Sequence, residues 1–291
     1  MLKLLSNKND VIKMTEQYAD VNGVKLCYEV FGEGYPLFLI HGFGAKKDSW
    51  IAQVPVLSKH FKIITLDNRG AGKSERPDAE YTMEVFADDI NGLMEHLGIE
   101  KANIAGWSLG GMIVQNFILK YPERVNKLIL INTNYGFPDE SGPEVYKNMR
   151  LNELKTKKED PAKAWWSGAR SGFYIKFRKQ LEADPSKKWY GLWSAEELIE
   201  SSTIDPPTEK DINMQAGALK THDTFERLST IKSPTLILAA SHDRLMSKAS
   251  MEQIRDKIPN SILVVIDKAG HRSPLEKAPE VNQQIIEFLK D

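Results

Sequence analysis

The chain of 291 residues has a single cysteine, Cys27, which excludes an intrachain disulfide and fits a reducing compartment or indifference to redox. Net charge is nearly absent as well: 39 Lys and Arg face 40 Asp and Glu, a formal −1. That balance gives no support for a nucleic acid or an anionic membrane as partner. No apolar run approaches the length of a membrane span. The first ten residues lack the continuous apolar stretch of a signal peptide, so a cytoplasmic location is expected. Residues 1–13 are expected to be a loosely ordered extension. No His, Asp or Glu pair has the spacing of a zinc hydrolase, so neither a metal nor a cofactor is expected. Gly72-Lys73-Ser74 ends like a phosphate-binding loop, but that pattern needs glycine at position 67, which is Asp67. Internal repeats and low-complexity tracts are missing too.

What remains is a globular composition, 41% hydrophobic and 27% charged, with length enough for one large α/β domain or a domain carrying an insertion. Asn22-Gly23 is a type I′ hairpin signal between strands expected at 18–21 and 24–30. Short apolar runs at 36–40 and 62–66 read as buried strands, and further strands are expected at 102–105, 127–132, 234–239 and 261–266. Helical periodicity falls between them. A helix is expected over 49–59 with Asp48 as its N-cap, and another over 82–97 with Thr82 as N-cap and Gly98 as stop. Further helices are expected at 112–119, 248–257 and 279–290. Strand and helix alternating in this way predict a parallel sheet with helices on both faces and a ligand site at the carboxyl edge of the strands.

From 135 to 221 the alternation stops. Short helices are expected there, punctuated by Pro138, Pro143, Pro161, Pro185, Pro206 and Pro207. Four of the six tryptophans fall in this stretch: Trp165, Trp166, Trp189 and Trp193. Phe173, Tyr174, Phe177 and Tyr190 join them. The expected organisation is a core of residues 1–134 and 222–291 with a helical cap at 135–221. The cap aromatics either line a pocket, which favours an apolar substrate group, or pack the cap's own small core.

Gly106-Trp107-Ser108-Leu109-Gly110 is a Gly-x-Ser-x-Gly motif between an apolar strand and a helix. A bare motif is weak, but this context makes it a nucleophile elbow. A serine hydroxyl needs a general base, and the base needs an acid to orient it. Of the six histidines, His60 and His96 fall near helix ends and His222 at the cap exit. His41 fits the oxyanion loop better than a base. His271 follows the last strand, at the same sheet edge as the elbow. Asp243 follows the strand before it, giving the chain order Ser, Asp, His. Asp267 reads as a surface loop residue and His242 as an exposed or supporting neighbour. The loop Asn132-Thr133-Asn134 offers no carboxylate. Oxyanion donors are expected at the Phe43 and Leu109 N–H groups, with Gly42 and Gly44 allowing close approach. Asp67 and Arg69 are expected to brace loops behind the site.

Over residues 14–289 the chain resembles the α/β-hydrolase superfamily. The matching segments are His41-Gly42-Phe43-Gly44, Asp67-x-Arg69-Gly70-x-Gly72-x-Ser74, Gly106-x-Ser108-x-Gly110-Gly111, Ser241-His242-Asp243-Arg244, and Gly270-His271 followed by Glu276-x-x-Pro279. The resemblance implies an eight-stranded, mostly parallel sheet with an inserted helical cap. It implies Ser108 as nucleophile, His271 as base, Asp243 as acid, and Phe43 and Leu109 as backbone oxyanion donors. Serine at the elbow separates the chain from the similar haloalkane dehalogenases and epoxide hydrolases, which carry aspartate, and from dienelactone hydrolases, which carry cysteine. It looks nearest to carboxylesterases and the cofactor-free haloperoxidase or perhydrolase-like group. The carbon–carbon bond hydrolases of ring-cleavage pathways usually have Asn-Ser-Met at the elbow and Trp after the histidine, where this chain has Trp107-Ser108-Leu109 and Arg272. The expected activity is hydrolysis of a small-molecule ester. A carbon–carbon or lactone hydrolase and a small-molecule receptor on the same fold are the alternatives.

Overall fold

The computed structural model describes residues 16–290, so the expected extension at 1–13 lies outside the described residues. One sheet carries eight strands in the order β1-β2-β4-β3-β5-β6-β7-β8. These are β1 (Gln17–Val21), β2 (Val24–Phe31), β3 (Pro36–Ile40), β4 (Lys62–Leu66), β5 (Ala102–Trp107), β6 (Val125–Ile131), β7 (Thr235–Ala240) and β8 (Ser261–Ile266). β1 and β2 form an antiparallel hairpin, and β2 runs antiparallel to β4. The remaining pairs are parallel. At the hairpin, Asn22 and Gly23 both take positive φ, 48° and 69°, as a type I′ turn requires.

The apolar runs are strands because each residue in turn meets a different layer. Phe38, Ile40, Ile104, Leu128 and Leu130 point into one layer. Leu37, Leu39, Ala105, Ile129 and Ile131 point into the other. Each large side chain so buried contributes roughly 1.5–3 kcal/mol. On the second layer lie α1 (Val54–Leu57) and, at the chain's end, α11 (Ala278–Lys290). The first is covered by α2 (Met83–His96), α3 (Leu109–Lys120) and α9 (Lys248–Lys257). Thr82 caps α2 as expected, its Oγ1 accepting the Val85 N–H at 3.2 Å.

The helix expected over 49–59 is absent as such. A 3-10 turn at Lys47–Trp50 and the four-residue α1 replace it. Pro55 removes an N–H from the run, and Asp48 pairs with Lys46 at 3.2 Å instead of capping.

Between β6 and β7 run α4 (Ser141–Glu159), α5 (Pro161–Gly172), α6 (Ile175–Ala183), α7 (Ala195–Ser201) and α8 (Glu209–Lys220). Pro143 and Pro161 open helices rather than break them, because the first turn has no use for their missing N–H. Trp165, Phe173, Phe177, Trp189 and Trp193 gather in a separate apolar cluster that Leu275 and Ala278 tie to the sheet body. The chain between those two residues includes the end of α10 (Ser273–Glu276). Among the described residues no helix is long and apolar enough to cross a membrane.

Candidate active site

Ser108 sits between β5 and α3 at φ 59°, ψ −121°. A non-glycine residue held there costs on the order of 1–3 kcal/mol, which the surroundings must offset. Its N–H donates to the Ile131 carbonyl at 3.0 Å, and its carbonyl accepts from Thr133 Oγ1 at 2.7 Å. A Cβ on Gly106 would lie 2.2 Å from the Gly110 carbonyl oxygen, and one on Gly110 2.0 Å from that of Ile40. Strand and helix therefore cross at a distance that only glycine permits.

The loop after β8 brings His271 to the same sheet edge. Its Nδ1 is 2.8 Å from Asp243 Oδ2. The other carboxylate oxygen of Asp243 accepts the Leu245 and Met246 N–H groups at 2.7 and 2.9 Å. With the carboxylate fixed as an acceptor, Nδ1 carries the proton and Nε2 is the basic atom of the ring. Ser108, His271, Gly42, Phe43 and Trp107 all line one cavity of about 190 Å3. Among the hydrogen bonds of the described residues, none joins Ser108 Oγ to the imidazole. Such bonds are often long in unliganded sites and tighten with substrate. Phe43 and Leu109 N–H have no protein acceptor among the described residues. Leu109 opens α3, where amides lack intrahelical partners, and its side chain is in the core.

Three further side chains position the site, and sequence pattern alone assigns them no such role. Trp107 Nε1 and Asn132 Nδ2 both donate to the His271 carbonyl, at 3.0 and 2.9 Å. Asn132 Oδ1 also accepts the Ala240 N–H at 2.8 Å, so one side chain ties the ends of β6 and β7 to the histidine loop. The available signal was an asparagine at a strand end, and Asn132 does take φ 42° there. Glu276 is a third: its two carboxylate oxygens accept the Gly270 and Tyr174 N–H groups, linking the histidine loop to the inserted helices.

The remaining candidates are scattered. His41 is buried, donating from Nδ1 to the Gly42 carbonyl at 2.9 Å and accepting the Asn68 N–H at Nε2. Burial lowers its pKa. Asp67 braces two loops, accepting the Lys47 and Lys73 N–H groups at 2.7 and 3.0 Å. Arg69 reaches Asp89 of α2 at 2.6 Å. His222 lies buried between Asn116 and the Asn134 carbonyl. His242 is exposed against Tyr174, and Asp267 faces solvent.

Of the eight aromatics singled out at 165–193, Trp165 alone lines the cavity. It shares an apolar cluster with Trp166, Phe173, Phe177, Trp189 and Trp193, whereas Tyr174 lies against His242 and Tyr190 is exposed, its OH donating to the Glu276 carbonyl. Part of the wall is charged. Arg150, Glu153 and Lys157 of α4 line it with Arg272. Arg150 Nη1 holds Glu153 at 2.7 Å. Burial works to raise the Glu153 pKa, but Arg150, Arg272 and Lys157 together hold it below the ordinary value. Burial pushes Lys157 down, against the pull of Glu153. Arg272 is lowered to about 10 by burial, so it stays charged at neutral pH.

The sequence pattern of the alpha/beta hydrolase fold matches residues 35–278. A 2-hydroxy-6-oxo-6-phenylhexa-2,4-dienoate hydrolase from Comamonas testosteroni is 27% identical over 291 residues, covering 98% of this chain and 97% of that protein. Among solved structures, the enol-lactonase from Burkholderia xenovorans LB400 superposes with a TM-score of 0.80 at 25% identity, covering 94% of this chain and 100% of that one. A thermophilic esterase from Thermogutta terrifontis superposes with a TM-score of 0.79 at 28% identity, covering 95% and 98%.

Proposed function

The chain belongs to the alpha/beta hydrolase family, and on that premise we propose that it is a serine hydrolase cleaving small carboxylic esters through an acyl-enzyme on Ser108. The observation that carries this reading is the strained Ser108 on the wall of the same cavity as a histidine already oriented by Asp243. In this reading residues 135–221 act as the cap, because α4, α5 and α7 supply the wall facing the elbow.

Ser108 Oγ attacks the ester carbonyl while His271 Nε2 takes its proton. Asp243 stabilises the imidazolium and keeps the ring aligned. Negative charge on the carbonyl oxygen is met by the Phe43 and Leu109 N–H groups. Collapse of the adduct breaks the ester C–O bond, and the alcohol leaves with the proton from His271. Water then attacks the acyl-enzyme, giving a proton to His271, and Ser108 departs with that proton to restore the resting site. An apolar substrate group fits against Phe43, Trp107, Trp165, Leu198 and Leu275. The likeness to an enol-lactonase favours a second reading, lactone opening, in which the same steps run with the leaving alcohol still tethered.

The test is turnover of p-nitrophenyl esters by the wild type and by Ser108→Ala. Loss of several orders of magnitude in kcat with an unchanged melting temperature is expected. Undiminished hydrolysis by the variant would sink the mechanism, and tight ligand binding without any turnover would point to a receptor.

A further inference from the structure

Ester cleavage requires a nucleophile, a base, an acid and two oxyanion donors, and none of these is a cation. Yet the cavity wall beside His271 gathers Arg150, Lys157 and Arg272 around one carboxylate, Glu153. The other charges on the wall are Lys46 and Asp48, paired with each other at 3.2 Å, and Asp205, which is exposed. The excess positive charge therefore lies at the Arg272 end.

Arg272 is built for display rather than for an internal bond. Its guanidinium lies over the rings of Trp165 and Phe173, 5.5 and 5.3 Å from their centroids. Those faces hold the plane of the group, and its N–H donors remain along the edge. Among the described residues none of these donors has an acceptor, and no carboxylate comes within salt-bridge distance. Glu153 is already engaged by Arg150, and the Nε of Arg150 is itself buried without a partner. Helix α5 makes room for the arrangement. A Cβ on Gly172 would lie 2.9 Å from Arg272 Nε, and one on Gly168 would lie 3.4 Å from its Nη2. Purely structural packing of Arg272 would call for a carboxylate or carbonyl on that edge. What the edge faces instead is the cavity shared with Ser108.

We propose that the Arg272 end of the cavity is a carboxylate-binding subsite, so that the substrate is an ester or lactone carrying a second, ionised carboxylate away from the scissile bond. This rests on the reading of Ser108 as the nucleophile. The planar edge of Arg272 matches a carboxylate in two parallel N–H to O bonds, and Arg150 and Lys157 add field without competing for the same geometry. An apolar stretch of substrate spans the space between subsite and elbow, against Trp107, Trp165 and Leu275.

The test compares monoethyl adipate, which carries the carboxylate, with ethyl hexanoate, its neutral match in length. The wild type is expected to prefer the anionic ester by about 10- to 100-fold in kcat/KM, the range for a charge-assisted contact. Arg272→Gln is expected to bring that ratio close to one, largely through KM, and Arg272→Lys to restore part of it. A wild-type ratio near one overturns the proposal without any variant, as does an Arg272→Gln protein that keeps the preference. Binding of the same two esters to Ser108→Ala, followed by calorimetry, separates this proposal from the mechanism. Equal affinity for both overturns the subsite even if esters are cleaved. Tighter binding of monoethyl adipate supports the subsite even if Ser108 proves not to be the nucleophile.

Discussion

Asn132 shows how a single side chain fixes a histidine through its backbone: it holds the His271 carbonyl. Its amide satisfies the Ala240 N–H, the His271 carbonyl and Ser273 Oγ at 2.8–2.9 Å, all buried. Replacing it with alanine strands a buried donor and puts a Cβ-bearing residue without a local hydrogen bond at φ 42°. Asn132→Ala is therefore expected to cost about 2–4 kcal/mol, measured as a lowered urea midpoint at unchanged m. A loss under about 0.5 kcal/mol would mean that Trp107 alone holds the loop. The sequence offered only the type and place of this residue. An asparagine ending a strand is common, and which carbonyl it reaches depends on two loops 108 and 139 residues away. Ser108, Asp243 and His271 were legible for the opposite reason: each follows a strand, and strand ends in a parallel sheet converge on one edge.

At the level of elements, α5 decides whether Arg272 has space. Arg272 N–H donates to the Gly172 carbonyl at 2.8 Å, so the end of this helix is docked on the His271 loop. In Gly172→Ala the new Cβ meets a movable side chain rather than backbone. Stability is expected to change by less than about 1 kcal/mol, since the helical preference of alanine offsets the contact. The preference for monoethyl adipate over ethyl hexanoate is expected to fall several-fold, because the guanidinium is displaced. An unchanged preference with a shifted Tm would make the glycine a packing residue only. The central strands β3, β5 and β7 were readable to within a residue or two because they are apolar and buried almost throughout, which leaves one interpretation of a short run, whereas the edge strands β1 and β8 keep residues exposed. The insertion was not. Its aromatics attracted the reading, and they turned out mostly to pack one another. Arg150, Glu153 and Lys157 recur at i, i+3 and i+7 of α4, a single face that an eye on apolar periodicity passes over.

Across the whole molecule, buried ionisable groups pull the pH dependence of stability in opposite directions. Burial raises Glu29 and Glu276 to about 7. A carboxyl raised in this way contributes stability below its unfolded pKa and loses it as pH rises through the folded value. Burial lowers His222 from 6.5 to about 4, and lowers His41 as well. A histidine lowered in this way contributes fully above its unfolded pKa, and that contribution drains away as pH falls towards the folded value. Between about pH 4.5 and 6.5 the folded chain thus keeps protons on its buried carboxyls while the unfolded chain keeps them on its imidazoles. The slopes oppose each other, at up to about 1.4 kcal/mol per pH unit for each group. Removing one histidine unbalances them. His222 accepts from Asn116 Nδ2 at Nδ1 and donates from Nε2 to the Asn134 carbonyl, both at 3.0 Å, which is the pattern of a neutral ring. The stability gap between the wild type and His222→Asn is therefore expected to widen as pH rises from 4.5 to 6.5 and to level off above. Urea unfolding of both proteins at pH 4.5, 5.5, 6.5 and 7.5 measures it. A gap that stays constant across those four values would show that His222 takes up its proton in the folded chain as readily as in the unfolded one, and that the site's surroundings open to water there.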